Sequence, residues 1–309
     1  MAFDQHLLGA FQAVAEQGSV GRAAKVLNAT QPTISRRIRT LEEQLGQPLF
    51  ERDSRGMHLT AAGADMLPHA RHLLYEMAAI QDRMDAHRGL TQGAIRIGAV
   101  TSIARGVLPP VLAIVARRSP RLRIEVTVAS EDQLDRSLAD REVDIIFATE
   151  PPKEIEAVRI GAREFSDRCV VFCARSHPAL SEGEVAIARL LDERWALPPP
   201  ESTPRRQFEG LVRKVGLPPP EVALETESVD MILSFVAAGA MLSWFPEPLL
   251  TDSLAAGRVA VVAAPSLELC RTFAMYRRAR GTFPASAQVF IDALGGKAIA
   301  SAGRTTPTR

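Results

Sequence analysis

Between Gly18 and Thr40 the chain carries five cations, Arg22, Lys25, Arg36, Arg37 and Arg39, and no acid. Interleaved with them are enough apolar residues for two short helices that share a core. The first helical pattern opens at Ser19, a residue type favoured at an N-cap. Val20, Ala23, Ala24 and Leu27 give it a narrow inner face of small side chains that a second helix can cross closely. Asn28, tolerant of the left-handed backbone, ends it in the turn Asn28-Ala29-Thr30. The second pattern takes Thr30 as its N-cap and sets Gln31 and Pro32 in the first turn, where a missing N–H costs nothing. Ile34, Ile38, Leu41 and Leu45 then repeat at i, i+4, i+7 and i+11, which on a helix is one buried stripe. At roughly 100° per residue the opposite face holds Pro32, Arg36 and Arg39, flanked by Thr33 and Ser35.

A compact helical pair that is apolar inside and basic outside can set its second helix in the major groove of double-stranded DNA. On this reading Gln31 suits adenine, Arg36 guanine, and Thr33 or Pro32 the thymine methyl. Arg22, Arg37 and Arg39 suit phosphates, which set affinity and register rather than sequence. Ser19, Thr30 and Ser35 complete the polar front. Past Leu45, two short segments flank the turn-forming cluster Asp53-Ser54-Arg55-Gly56, as in a β-hairpin wing, with Arg52 and Arg55 near the backbone or minor groove. Upstream, Leu7, Phe11 and Val14 form a helical stripe that closes the small core.

The run Ala23-Ala24, Leu27, Gln31-Pro32-Thr33-Ile34-Ser35-Arg36, Ile38, Leu41-Glu42, Leu45-Gly46, Leu49-Phe50-Glu51-Arg52, Arg55-Gly56, Leu59-Thr60 and Ala62-Gly63 resembles the winged helix-turn-helix of LysR-type transcriptional regulators. The length of 309 residues is similar to that family's. The resemblance implies an α/β protein overall: a mostly α winged helix-turn-helix over 1–60, a linker and dimerisation helix over 61–89, and a two-lobed effector domain of the periplasmic-binding-protein type over 92–296. Lobe I is expected at about 92–150 and 268–296, lobe II at about 151–267, and a disordered tail at 297–309. A homodimer through the linker helix, a homotetramer built from it, and contact with RNA polymerase are also implied.

Composition agrees with an intracellular DNA-binding protein. The formal net charge is only +1, but 18–60 holds seven cations against four acids. No secretory signal is visible at the N-terminus. The longest uncharged apolar stretch, Met231 to Phe245, is shorter than the ~20 residues a membrane span needs. Three cysteines, an odd number, suit a reducing cytoplasm without structural disulfides. Cys169 and Cys173 fall on one face of an expected strand, as buried thiols do.

From Thr60 to about Arg88 one long helix is expected, with Met66, Leu73, Met77, Ile80 and Met84 as an apolar seam that Leu67, Ala70 and Leu74 widen. A second copy of the same helix is the natural partner for such a seam. Pro68 should bend it slightly. His69, His72 and Glu76 have the spacing of metal ligands but no fourth group, so neither metal nor cofactor is expected.

Gly89-Leu90-Thr91-Gln92-Gly93 reads as a hinge. Strands at 94–100, 122–129 and 145–148 alternate with helices at 103–117 and 133–140, the signature of a parallel sheet. Glu150-Pro151-Pro152-Lys153 is a natural crossover to a second set: strands near 169–174, 222–225 and 241–245, helices near 205–215 and 229–238, then a returning strand at 272–277 and a closing helix at 285–294. Ligands of such folds bind at the carboxyl ends of the strands. Thr101, Ser102, Ser130 and Thr149 fall there in lobe I, and Ser202, Thr203 and Ser228 precede helices of lobe II. Helix N-termini favour anions, so a small carboxylate or another anionic or polar metabolite is the expected effector. Phe245, with Trp244 and Phe165, is a candidate for the apolar wall or for the core. No nucleophile–base pair, phosphate-binding glycine loop or zinc spacing points to an enzyme.

Overall fold

A computed structural model of the chain describes residues 4–53, 56–88, 93–239 and 241–295. Arg55 in the wing, the expected hinge at 89–92 and the tail beyond 295 lie outside the described residues.

Three helices open the chain: α1 (Gln5–Gln17), α2 (Val20–Val26) and α3 (Gln31–Leu45). Their ends have local causes. Asp4 accepts the His6 N–H at the start of α1, and Gly18 ends it in the left-handed region at φ 58°. Asn28 takes φ 48° in the turn between α2 and α3, and the Thr30 hydroxyl accepts the Thr33 N–H. Ser19 is the N-cap of α2 by backbone geometry, yet its side chain makes no capping bond. Ile34, Ile38 and Leu41 are buried against Leu8, Phe11, Val14 and Ala23. The hairpin β1 (Phe50–Asp53) and β2 (Gly56–Leu59) is antiparallel and packs on the same core through Leu49 and Phe50. It is also tied to the end of α1, since Met57 N–H donates to the Gly18 carbonyl at 3.2 Å. A Cβ at Gly56 would lie 2.9 Å from that oxygen, and its φ of 138° also demands glycine.

Helix α4 runs unbroken from Ala61 to His87 with Pro68 inside it. At ~1.5 Å per residue it is roughly 40 Å long. Its first half belongs to the N-terminal core, where Met66, Leu67, Ala70 and Leu74 pack. The apolar seam expected from sequence is thus two surfaces. Those four residues serve the winged domain, while Leu73, Met77, Ile80 and Met84 are exposed.

The remaining elements are β3 (Gly93–Ala99), α5 (Thr101–Gly106), α6 (Leu108–Arg118), β4 (Leu122–Val128), α7 (Glu131–Ala139), β5 (Ile145–Ala148), β6 (Ala157–Ala174), α8 (Ile187–Leu191), β7 (Trp195–Leu197), α9 (Thr203–Lys214), β8 (Val222–Glu225), α10 (Val229–Ala238), β9 (Leu242–Pro246), α11 (Glu247–Ala255), β10 (Val259–Val261), β11 (Leu269–Arg278) and α12 (Ala285–Gly295). One sheet of nine strands runs β4-β3-β5-β11-β6-β9-β7-β8, with β10 also paired to β6. Its two ends, β4-β3-β5 and β9-β7-β8, are parallel, and the long strands β6 and β11 join them antiparallel. The chain therefore passes between the lobes along β6 and β11 rather than in the Glu150–Lys153 segment. Helices cover both faces of each half, around four apolar clusters. The single helix expected at 103–117 is two, because Pro109 and Pro110 stand in the first turn of α6 and the chain breaks at Val107.

Candidate nucleic-acid interface and effector crevice

On α3 the buried stripe turns the opposite face outward. Thr30, Gln31, Pro32, Ser35, Arg36 and Arg39 are exposed, and Ser19, Thr33 and Arg37 are half-buried. The front is preorganised. Thr30 and Thr33 share a hydroxyl–hydroxyl bond at 2.9 Å. Gln31 lies across α2, its amide nitrogen 2.9 Å from where a Cβ on Gly21 would stand, so glycine makes room for it. Glu42 fixes the wing to α3 by accepting the N–H groups of Leu49 and Phe50 at 2.8 and 3.3 Å. Sequence reasoning missed this tie, although an acid in a basic helix ahead of a turn is a visible signal. Arg52 is exposed on the wing. Arg22 is exposed, and its guanidinium donates to the Gln17 carbonyl at the C-terminus of α1.

In the C-terminal domain, several expected effector residues are already engaged. Ser130, Ser202 and Ser228 accept the N–H of Gln133, Arg205 and Met231, as N-caps do. Thr149 donates its N–H and hydroxyl to Glu131 at 2.9 and 2.8 Å. The Thr203 hydroxyl accepts from Arg206. Ser102 is buried and accepts from Arg271 at 3.2 Å. Thr101 is exposed in the first turn of α5. Phe245 is corrected to a core residue: it is 2% exposed and stacks on Phe172 at 5.8 Å inside lobe II. Trp244 and Phe165 are buried in the cores of lobes II and I.

Across the lobes the starts of α7 and α9 meet, and the last turn of α5 meets the start of α10 and the end of α11. Arg206 of α9 pairs with Asp132 of α7 at 3.8 Å, and Arg105 of α5 pairs with Asp230 of α10 at 3.6 Å and Asp252 of α11 at 3.4 Å. Beneath them Arg271 is clasped by both oxygens of Asp167 at 2.8 and 2.5 Å. Burial opposes the charge on Arg271, but Asp167 and the neighbouring acids raise its pKa above the ordinary arginine value. These two residues lie far apart in sequence. Both strands carry other charges, so no local signal singles the pair out. Cys169 and Cys173 are buried and their thiols are pushed up to about 12, chiefly by burial. Among the described residues no group of three or more His, Cys, Asp or Glu stands where it could hold a metal.

A basic recognition helix with a wing, joined by one long helix to a two-lobed α/β domain, defines a DNA-binding regulator with a sensor domain. Residues 6–64 match the family model for bacterial regulatory helix-turn-helix proteins of the lysR family, and residues 88–298 match the LysR substrate binding domain. The chain is 31% identical to the regulator CbbR of Rhodospirillum rubrum over 84% of its own length and 85% of the relative. It is 26% identical to the uncharacterized regulator YdcI of Escherichia coli over 93% of both chains. In fold it is similar to full-length OxyR of Pseudomonas aeruginosa (TM-score 0.71, 23% identity, 95% of both chains). It is also similar to CbnR in complex with its target DNA (TM-score 0.64, 24% identity, 95% of this chain and 99% of that one). The chain belongs to the LysR family: it is a DNA-binding transcriptional regulator with an effector-binding domain, and not an enzyme. No helix among the described residues is long and apolar enough to cross a membrane.

Proposed function

We propose that α3 reads the major groove through Gln31, Pro32, Thr33 and above all Arg36, with Arg37 and Arg39 on phosphates and the wing residues Arg52 and Arg55 beside the groove. The observation that carries this is the orientation of α3: Ile34 is fully buried while Arg36, two residues on, is exposed. Duplexes selected from a random pool supply the operator. Arg36→Ala should then reduce the preference for operator over random DNA by ~1–3 kcal/mol. Unchanged discrimination in a competition assay refutes the base-reading role.

The protein acts as a homodimer through α4, further assembled to a tetramer, in the cytoplasm where the chromosome and RNA polymerase are. The exposed stripe Leu73, Met77, Ile80 and Met84 supports the dimer, since its 4-3-4 spacing is that of a coiled-coil seam. A small metabolite binds between the lobes, beside Thr101, Ser102, Ser130, Thr149, Ser202, Thr203 and Ser228, and shifts the protein between two states by its differential affinity. Of the anionic and polar classes, a polar effector with donor groups is better supported. Asp167 neutralises Arg271, and the Glu131 carboxylate already occupies the Thr149 donors. Thermal-shift screening of neutral polar metabolites against simple carboxylates tests this, because a ligand of the folded form alone raises apparent stability.

A further inference from the structure

The second half of α4 turns one face to lobe I, and that joint is polar. Tyr75 is held between two guanidiniums, Arg141 at 5.3 Å and Arg278 at 4.7 Å from its ring centre, and its hydroxyl donates to the Thr282 carbonyl at 3.1 Å. Glu76 accepts the N–H and hydroxyl of Thr282 at 3.3 and 2.6 Å and pairs with Arg141 at 3.1 Å. Asp82 accepts the Ser286 N–H at 3.1 Å in the first turn of α12. Arg71 spans both domains, 2.8 Å from Glu142 before β5 and 3.7 Å from Glu16 on α1. Among these contacts lies a cavity of about 460 Å³, lined in part by Gln12, Arg71, Tyr75, Arg96 and Arg141. The Nε of Arg71 is buried without a hydrogen-bond partner. The winged domain and the lobes close on apolar cores, whereas this joint, apart from the buried Tyr75 ring, is held by hydrogen bonds and ion pairs that water can replace, around a gap. Partly exposed ion pairs hold such a joint weakly, and polar interfaces between domains move by default.

Arg278, which clasps Tyr75, ends β11. It also donates to the carbonyls of Leu138 and Val143 at 2.8 and 2.7 Å, tying the strand to the turn between α7 and β5. Seven residues upstream on the same strand Arg271 holds Ser102 and Asp167 in the crevice. At ~3.3 Å per residue those two arginines are roughly 23 Å apart. β11 is paired on one side by β5 and on the other by β6. It is therefore a stiff strut with one end in the crevice and the other on the linker helix.

We propose that the seat of Tyr75 between Arg141 and Arg278 is a releasable joint through which occupancy of the crevice sets the angle of the DNA-reading head, with β11 as the strut. The proposal deepens the effector reading and rests on it. An effector whose donor groups bond Asp167 loosens its hold on Arg271, and the shift passes along β11 to the fit of Arg278 on Tyr75. Freeing the seat lets α4, with the winged domain fixed to its first half, swing relative to lobe I. By linkage, DNA that favours one angle changes effector affinity in the same measure.

Amide hydrogen exchange on the full-length protein tests this without knowing the effector. Glu76→Gln and Tyr75→Phe should raise exchange in 76–85 by about tenfold while α1 to α3 stay protected. Ser102→Ala and Asp167→Asn, both at the far end of the strut, should change exchange of those same amides by about threefold or more and leave β3 as it was. A merely structural joint would not respond to the crevice variants. If they leave 76–85 at the wild-type rate, or if the joint variants do, the proposal is overturned. Should Asp167→Asn not fold, Ser102→Ala decides, since it deletes one hydroxyl. Operator preference and metabolite-induced thermal shifts are read separately, so failure of the effector reading is distinguishable from failure of the joint.

Discussion

Phe245 and His72 show how neighbours decide a side chain's role. Phe245 ends a strand where a crevice wall is plausible, yet it fills lobe II with Phe172, Ile232 and Leu249. Phe245→Ala should therefore cost ~3–5 kcal/mol of stability in chemical denaturation, with crevice affinity following only the folded fraction. A change in effector affinity at full stability contradicts the core assignment. His72 lies beside Arg141 at 3.2 Å. Its pKa is lowered, first by burial and then by Arg141, against the opposing pull of Glu76, with smaller lowering from Arg278 and His69. A histidine whose pKa falls on seating favours the seated state when neutral. Seating is then strongest above the free value of about 6.5 and weakens as pH drops below it. Glu76 titrates lower: burial alone would raise it, but the Thr282 bonds and Arg141 outweigh burial and bring it below the ordinary carboxyl value. Exchange in 76–85 should thus rise between pH 7.5 and 5.5 after correction for intrinsic rates, and His72→Gln should remove that rise. At this scale the recognition-helix side chains were legible, because helical phase alone decides which of them face out. The Arg271–Asp167 pair was not, since nothing local links two positions on different strands.

Helices with strong periodicity and caps were read nearly to their ends, as α3 and α10 show, because 3.6-residue phase and an N-cap are properties of a few consecutive residues. Strand β6 was read only over its last six residues. Its first part, with Arg159, Arg163, Glu164 and Asp167, has no apolar alternation and is a strand because β11 pairs with it. In α4 the sequence showed one broad apolar seam, and folding divided it between the winged core and an open stripe. Ile80 is the most exposed of that stripe at 58%. Ile80→Glu should break the proposed α4 interface and lower the mass of the assembly in sedimentation at micromolar protein, with the isolated chain's melting temperature little changed, because no intrachain core is touched. A variant that keeps the wild-type mass removes α4 from the interface.

Across the whole molecule, the two lobes are halves of a single sheet, so anything that bends β6 or β11 is felt on both sides. Thr101→Ala with Ser102→Ala should keep the preference for operator over random DNA, which α3 sets, and abolish the effector response of a reporter promoter; a normal response would move the ligand elsewhere. The crevice and the linker joint both depend on β11, which the sequence showed only as a late returning strand. Local pattern was enough for the winged helix-turn-helix, the long helix and the α/β character of the rest, because periodicity, caps and turn residues act within a few positions of each other. Which hydroxyls are spent as caps, which aromatic is core, how the sheet joins the lobes, and that Tyr75 meets Arg278 were settled only by folding. Those contacts join residues from opposite ends of the chain, and no run of neighbours carries the geometry that brings them together.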